Sequence, residues 1–114
     1  MKQELGTVIA RRKYFSVGDK SRSAVLEVEI GIPARSPSAD NEFMCSFRIR
    51  FGGSERTETV YGIDEMQVLQ LALGYLQATL RGLENSSDLA LSWAGEETGG
   101  LGIRIPNFSD PAPA

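Results

Sequence analysis

Carboxylates are the only side chains in this sequence whose types and positions could support acid–base chemistry. Glu27 and Glu29 lie two residues apart in a segment of alternating polarity, and four further acids stand among turn-forming residues: Asp40, Glu42, Glu96 and Glu97. A general acid and base would need one carboxyl group of raised pKa beside an ionised one. Nothing around these acids in the sequence indicates such a pair. Solvated carboxylates are therefore the favoured interpretation, with a carboxylate-based hydrolase as the alternative.

Other common catalytic groups are missing from the composition. The sequence has no histidine and a single cysteine, Cys45. This removes Ser-His-Asp and Cys-His catalysis, most structural zinc sites and thiolate metal clusters. The glycine-bearing segments 51–57 and 96–102 lack the spacing of phosphate-binding loops. We therefore expect that the protein is not an enzyme and binds no cofactor and no metal. We expect Cys45 to be a buried, unreactive thiol.

Length and composition are typical of one globular domain, with 114 residues of which 41% are hydrophobic and 24% charged. We expect a single α+β domain over residues 1–108 and a disordered, proline-rich tail over 109–114. No apolar run approaches the ~20 residues needed to cross a bilayer, and the N-terminus lacks signal-peptide features, which predicts a cytoplasmic protein without membrane contact. The net charge of −3 argues against direct nucleic-acid binding.

Period-two alternation predicts about four antiparallel strands before a helix. The clearest strands cover residues 24–33 and 42–51, each with one apolar and one polar face. If the strands pair, Glu27 and Glu29 face Arg48 and Arg50, and these charges help to set the register. A first strand over 7–17 has a conflict of phase at Arg12, which a bulge or an edge position would resolve. A short fourth strand is expected near 56–61.

One long helix follows. Asp64 and Gln67 have the spacing of a capping box, which predicts the helix start. Leucines then recur at intervals of four, three, four and three along one helix face: Leu69, Leu73, Leu76, Leu80 and Leu83. This face is expected to pack on the apolar face of the sheet, and a coiled-coil dimer is the alternative. Alternation in 89–93 and 101–105 predicts a C-terminal β-hairpin.

Without catalytic groups, a small acidic domain is expected to work by binding a macromolecule. Two surfaces are candidates: the charged face of the sheet with Glu27 and Glu29, and the loop in which Glu96 and Glu97 follow Trp93. An aromatic residue beside carboxylates is typical of a binding hot spot for a basic partner. The alternative for Trp93 is a core position, because it continues the alternation of Leu89 and Leu91.

Three segments carry a resemblance to a known family. YGIDEMQVLQLALGYL at 61–76, with IARRKYF at 9–15 and EFMCSFRI at 42–49, resembles a family of small bacterial domains of unknown function that pairs a YGxDxxQxLxLAL helix with a strand meander. The resemblance implies kinship of fold and no catalytic residues. Small bacterial proteins of this build also look like the immunity proteins of contact-dependent and other polymorphic toxin systems, each of which binds one cognate toxin, often a nuclease domain.

The resulting hypothesis is a non-enzymatic immunity protein that binds and neutralises a cognate protein toxin. In this hypothesis Glu96 and Glu97 stand in for the anionic substrate of the toxin. A self-associating domain that forms a homodimer is the alternative from another class, and an enzyme of unknown type is the third.

Overall fold

A computed structural model describes residues 5–18, 23–93 and 101–103 of the chain. The strands in these residues are β1 (Val8–Ser16), β2 (Leu26–Gly31), β3 (Ala34–Arg35), β4 (Phe43–Phe51), β5 (Ser54–Gly62) and β6 (Leu91–Ser92), and helix α1 spans Glu65–Ser87 between β5 and β6. Every strand pairing in the described residues is antiparallel. The helix packs on one face of the sheet, which confirms the predicted α+β class.

Strand β4 is the centre of the sheet. Its residues Phe47–Phe51 pair with both β2 and β5, so these two strands must lie on opposite sides of β4. Strand β3 continues along the β2 side and pairs with Phe43 and Met44. The order across the sheet is therefore β5, β4, β2, β1 and β6, and the short strand β3 lies on the same side of β4 as β2. Within the described residues, β5 has β4 as its only strand neighbour and forms one edge.

The predicted pairing of charges between β2 and β4 is confirmed. Glu27 lies opposite Arg50, and Glu29 lies opposite Arg48. The intervening residues of both strands face the other way and supply buried apolar side chains. A slip of one residue would exchange the two faces, so the apolar pattern and the charges specify the same register.

Strand β1 contains the irregularity that the sequence pattern predicts. Its register with β2 shifts between Val8 and Ala10. After the shift, Ala10, Arg12 and Tyr14 share the helix side of the sheet. Tyr14 is fully buried there, whereas Arg12 reaches the edge of the core. The bulge precedes Ala10 and leaves Arg12 on the helix side, so the conflict of phase is accommodated at the edge of the core, where Arg12 donates to the carbonyls of Leu101 and Gly102.

The helix begins at the predicted capping box. Oδ1 of Asp64 accepts a hydrogen bond from the backbone N–H of Gln67 at 2.7 Å, and Oε1 of Gln67 accepts from the N–H of Ile63 at 2.7 Å. Asp88 ends the helix in the left-handed conformation, with its N–H bonded to the carbonyl of Glu84. Both helix ends therefore satisfy backbone groups that the helix itself leaves unpaired.

The buried face of α1 is rotated from the predicted leucine stripe. Its fully buried residues are Val68, Ala72, Leu76 and Leu80, whereas Leu69, Leu73 and Leu83 are half-buried at the border of the core. Ala72 is fully buried on this face, where the helix packs over β4 and β5. The helix packs on the sheet, so the coiled coil is not required to bury its apolar face.

The predicted strand count and C-terminal hairpin need correction. Strand β3 adds a short pairing in the connection that was expected to be irregular. The hairpin is absent from the described residues, because β6 pairs with β1 through Phe15 and Ser92 instead. The carbonyl of Leu101 accepts a hydrogen bond from the Tyr14 hydroxyl, so side-chain contacts hold this segment against the sheet. The predicted hairpin turn and the proposed tail at 109–114 lie outside the described residues.

Candidate functional site

The face of the sheet opposite α1 carries a patterned set of charges, here called the open face. It includes four cations and three carboxylates from four strands, namely Arg11, Lys13, Arg48 and Arg50 with Glu27, Glu29 and Glu55, placed side by side by the strand registers. No helix or second sheet in the described residues covers this face. The alternation that buries apolar groups on one side thus delivers the charges to the other.

Glu29 is the centre of this set. Its carboxylate lies between three guanidinium groups, with Oε2 at 3.1 Å from Nε of Arg11 and Oε1 at 3.2 Å from Nη1 of Arg50 and 3.6 Å from Nη1 of Arg48. Glu55 extends the network from β5, at 3.1 Å from Nε of Arg50 and 3.5 Å from Nε of Arg48. We call these five residues the Glu29 network.

The network buries its central acid and exposes its outer cations. The side chain of Glu29 is 11% exposed, whereas those of Arg50 and Arg11 are 45% and 73% exposed. A nearly buried carboxylate is stable only if cations surround it, which Glu29 achieves through strand pairing rather than through a loop. The open face therefore presents guanidinium edges to a partner, with the negative charge beneath them.

Two polar atoms of the network are buried without aligned partners. Oε1 of Glu29 and Nε of Arg48 make no hydrogen bond of good geometry within the described residues, although both lie at ion-pair distance from an opposite charge. The short charge separations still provide attraction, because Coulomb attraction depends less on angle than a hydrogen bond does. The hydrogen bond from Arg50 to Glu55, together with the nearby charge of Glu29, raises the pKa of the Arg50 guanidinium.

Trp93 forms a second surface feature at the other end of β1. The guanidinium carbon of Arg12 lies 4.3 Å from the centre of the indole ring, in cation–π geometry. Nη1 of Arg12 also donates to the carbonyl of Gly102 at 2.9 Å. Gly102 has a positive φ of 66° and packs against the indole, where a larger residue would clash. Trp93 is 39% exposed, so it is a surface residue and not the core residue of the alternative.

The structure brings together some of the predicted binding residues. Glu27 and Glu29 share the open face, and Trp93 lies apart from them beyond β1. Glu96 and Glu97 lie outside the described residues, so the acidic loop stays a prediction. The alternation in sequence indicated the pair of strands, but the role of Glu29 as a centre also needed Arg11 and Glu55 from two other strands. The Gly52–Gly53 turn is a local signal that places Glu55 opposite Arg50, five residues away, whereas Arg11 is 18 residues from Glu29 and has no such signal.

The described residues offer no second chemical centre. They contain no group of three or more metal-binding side chains, and no helix among them is long and apolar enough to cross a membrane. An apolar cleft of about 250 Å³ lies between β1, β2 and α1, lined by Tyr14, Val28, Leu73, Leu76 and Ile103 among others. Cys45 is buried as predicted, and burial raises the pKa of its thiol.

Comparison with known proteins identifies a family whose function is unknown. The model of the domain of unknown function DUF6968 matches residues 10–105, which include the helix and all described strands apart from the first two residues of β1. No curated protein and no solved structure matches the chain. The chain therefore belongs to the DUF6968 family, a family of domains of unknown function.

Proposed function

We propose that this protein is a non-enzymatic binding domain that acts as a bacterial immunity protein, and that the open face is the surface on which it holds its toxin. The observation that carries the proposal is the Glu29 network, a set of fixed charges on a sheet face that no described helix or sheet covers. The resemblance to immunity proteins supplies the class of partner. The proposal does not depend on the acidic loop.

The network suits binding because its arginine side chains are already held in place. A free arginine loses conformational entropy when a partner immobilises it, at a cost of about 0.5–1.5 kcal/mol per side chain. Ion pairs to Glu29 and Glu55 restrict Arg11, Arg48 and Arg50 before any partner arrives. Arginine is also among the residues most enriched in binding hot spots.

The charge balance of the open face specifies the kind of contact. Its four cations and three carboxylates nearly cancel at a distance, so the face lacks the basic field that nucleic acid requires. At short range the exposed guanidinium edges of Arg11 and Arg50 can donate to carboxylates and carbonyl groups. The partner surface is therefore expected to carry hydrogen-bond acceptors, and binding should depend only weakly on salt.

Co-expression tests this function. The chain is expressed beside the C-terminal region of the protein encoded immediately upstream, growth is recorded with and without the chain, and the mixture is purified for a complex. We expect growth arrest by the upstream region alone, and rescue by this chain through a one-to-one complex. Absence of both toxicity and a complex would contradict the immunity function.

A pair of variants then separates the two candidate surfaces. Arg11→Ala with Arg50→Ala removes the exposed edges of the open face, whereas Glu96→Lys with Glu97→Lys reverses the acidic loop. The proposal predicts that the first pair reduces rescue and the second does not. The reverse result would move the binding surface to the loop and restore its role as a mimic of the toxin's substrate.

A further inference from the structure

Strand β5 is a long edge strand in the described part of the sheet. It spans nine residues, Ser54–Gly62, and its pairing with β4 is continuous along its whole length. Its other side has no strand neighbour among the described residues. Unpaired edges of this length are templates for strand addition unless a protein protects them.

The hairpin between β4 and β5 fixes which backbone groups point outward. Its two-residue turn, Gly52 and Gly53, has positive φ at both positions, 58° and 84°, as in a type I′ turn. The residues that flank such a turn, Phe51 and Ser54, form a hydrogen-bonded pair, and such pairs alternate along the ladder. Thr57 and Thr59 therefore direct their N–H and C=O groups away from β4.

The side chains of this edge are complementary to themselves. Arg56 and Glu58 lie on the helix side of β5, two residues apart, and form an exposed ion pair at 2.7 Å. An antiparallel second copy centred on Thr57 would place Arg56 opposite Glu58 of that copy, twice. A centre on Arg56 or on Glu58 would instead place like charges opposite each other. Charge thus favours one register, in which Thr57 faces its own equivalent across a two-fold axis.

The helix beside this edge leaves room for a second helix. A groove of about 470 Å³ separates β5 from α1, and it brings Arg56 and Glu58 together with Tyr75, Ala78 and Gly82. Tyr75 is 61% exposed, and a side chain added at Gly82 would meet nothing within 4 Å. Tyr75, Ala78 and Gly82 therefore form a stripe of α1 beside Arg56 and Glu58 that no other described element covers.

Strand spacing sets the distance between the two helices in such a pairing. Since α1 lies over β4 and β5, two sheets joined at ~4.8 Å would place the two helix axes about 10 Å apart. This is the separation at which helices pack, and small residues such as Ala78 and Gly82 permit close approach.

We infer that two copies of this chain associate through β5 in an antiparallel, two-fold arrangement centred on Thr57, with the Tyr75 stripes of the two α1 helices packed side by side. A two-fold axis perpendicular to the sheet keeps both helices on one side. The open faces then form one continuous surface on the other side. The inference therefore goes beyond the proposed function, and toxin binding and self-association can each fail alone.

Sedimentation equilibrium of charge variants tests the pairing register. Arg56→Glu and Glu58→Arg each place like charges opposite one another across the axis, and each should weaken the dimer at least tenfold. An equimolar mixture of the two variants restores opposite charges and should form a heterodimer. The double variant with both changes should associate like the unchanged chain. Circular dichroism of each variant checks that it is folded, since these side chains are exposed.

Cross-linking tests the position of the axis without changing charge. Residues in a hydrogen-bonded antiparallel pair have Cα atoms about 5.5 Å apart, which a disulfide can bridge. Thr57→Cys should thus form a covalent dimer under mild oxidation. Thr59→Cys is the matched control, since its equivalent in the second copy would lie four residues further along the strand. A chain that stays monomeric at every concentration, or a dimer that is indifferent to all four substitutions, would overturn the inference.

Discussion

Phe47 and Arg48 are neighbours in β4, yet different forces hold them. Phe47 is fully buried on the side of the sheet that α1 covers, whereas Arg48 lies in the Glu29 network on the open face. The covered face is stabilised by removing apolar surface from water, which is insensitive to salt and to small changes of angle. The open face is held by ion pairs whose value depends on burial. The comparison teaches that apolar burial stabilises one side of the sheet, whereas ion pairs hold the other side, which no described helix covers.

The largest loss of stability is expected from a substitution on the side of the sheet that α1 covers. Phe47→Ala should lower the free energy of unfolding by about 3–5 kcal/mol, because it removes a large buried side chain and leaves a cavity. Urea denaturation measures the change. Met44→Ala, on the open side of the same strand and only half-buried, is the matched control and should cost clearly less. Equal costs for the two changes would contradict the assignment of the faces.

The second-largest loss of stability is expected from a substitution of Glu29, at the centre of the open face. Glu29→Gln removes the charge that three arginines share and should cost about 1.5–3 kcal/mol, since the guanidinium groups lose their common partner. Glu27→Gln is a change of the same kind on the same strand, at a more exposed position, and should cost less than ~1 kcal/mol. Thermal or urea unfolding of both variants compares the sites. A neutral Glu29→Gln would mean that the network does not stabilise the fold.

Tyr14 links the buried side of the sheet to the segment 101–103 through its hydrogen bond to Leu101. It also makes the free energy of unfolding depend on pH. Burial raises the pKa of Tyr14, so the folded state holds the phenol proton more tightly than the unfolded chain does. Its contribution is complete below the unfolded value, near pH 10, and is lost as the pH rises through the raised value. The free energy of unfolding should thus fall above about pH 10.

Tyr14→Phe tests this pH dependence. The variant should flatten the alkaline decline and cost about 1 kcal/mol at neutral pH through the lost hydrogen bond to Leu101. Because burial also raises the pKa of Cys45, both chains are compared in a Cys45→Ala background. An alkaline decline of the same size in the two chains would show that Tyr14 is not its source.

The smallest effect on stability is expected at the rim of the open face. Arg11→Ala removes a side chain that is 73% exposed and should change the free energy of unfolding by less than ~1 kcal/mol. Arg81→Ala, on the exposed side of α1, is the control and should be equally mild. A loss of several kcal/mol at Arg11 would mean that the rim carries stability as well as binding.

Local patterns in the sequence were enough to predict most of the individual strands and the helix. The capping box at Asp64 and Gln67 and the paired charges of β2 and β4 depend on residues close in sequence or on strict alternation, and both are confirmed. A bulge in β1 was one of two predicted ways to accommodate Arg12; a bulge is present, but it lies before Ala10 and leaves Arg12 on the helix side. The C-terminal hairpin was predicted from the same kind of alternation and is wrong for the described residues. Alternation shows that a segment can form a strand, but it does not select the neighbour, and β6 joined the free edge of β1.

The candidate site was only partly predictable for the same physical reason. Glu27 and Glu29 were identified with Arg48 and Arg50 because consecutive strands place them together. Glu55 reaches Arg50 across the two-residue turn between β4 and β5, which is a local feature of the sequence. Arg11 reaches Glu29 from β1, and this contact needs the pairing of β1 with β2. The buried helix face was predicted only in part. Leucine spacing defines a stripe along the helix, but the fully buried residues are Val68, Ala72, Leu76 and Leu80.

The most direct test of the proposed binding role is the affinity of the chain for the C-terminal region of the protein encoded immediately upstream, measured by titration calorimetry. Arg11→Ala combined with Arg50→Ala should weaken binding at least tenfold, and circular dichroism at the titration temperature should show that the variant is still folded although it is less stable. Arg81→Ala, on the opposite side of the molecule, should bind as the unchanged chain does. Unchanged affinity after the double substitution would contradict the proposal that the open face holds the partner.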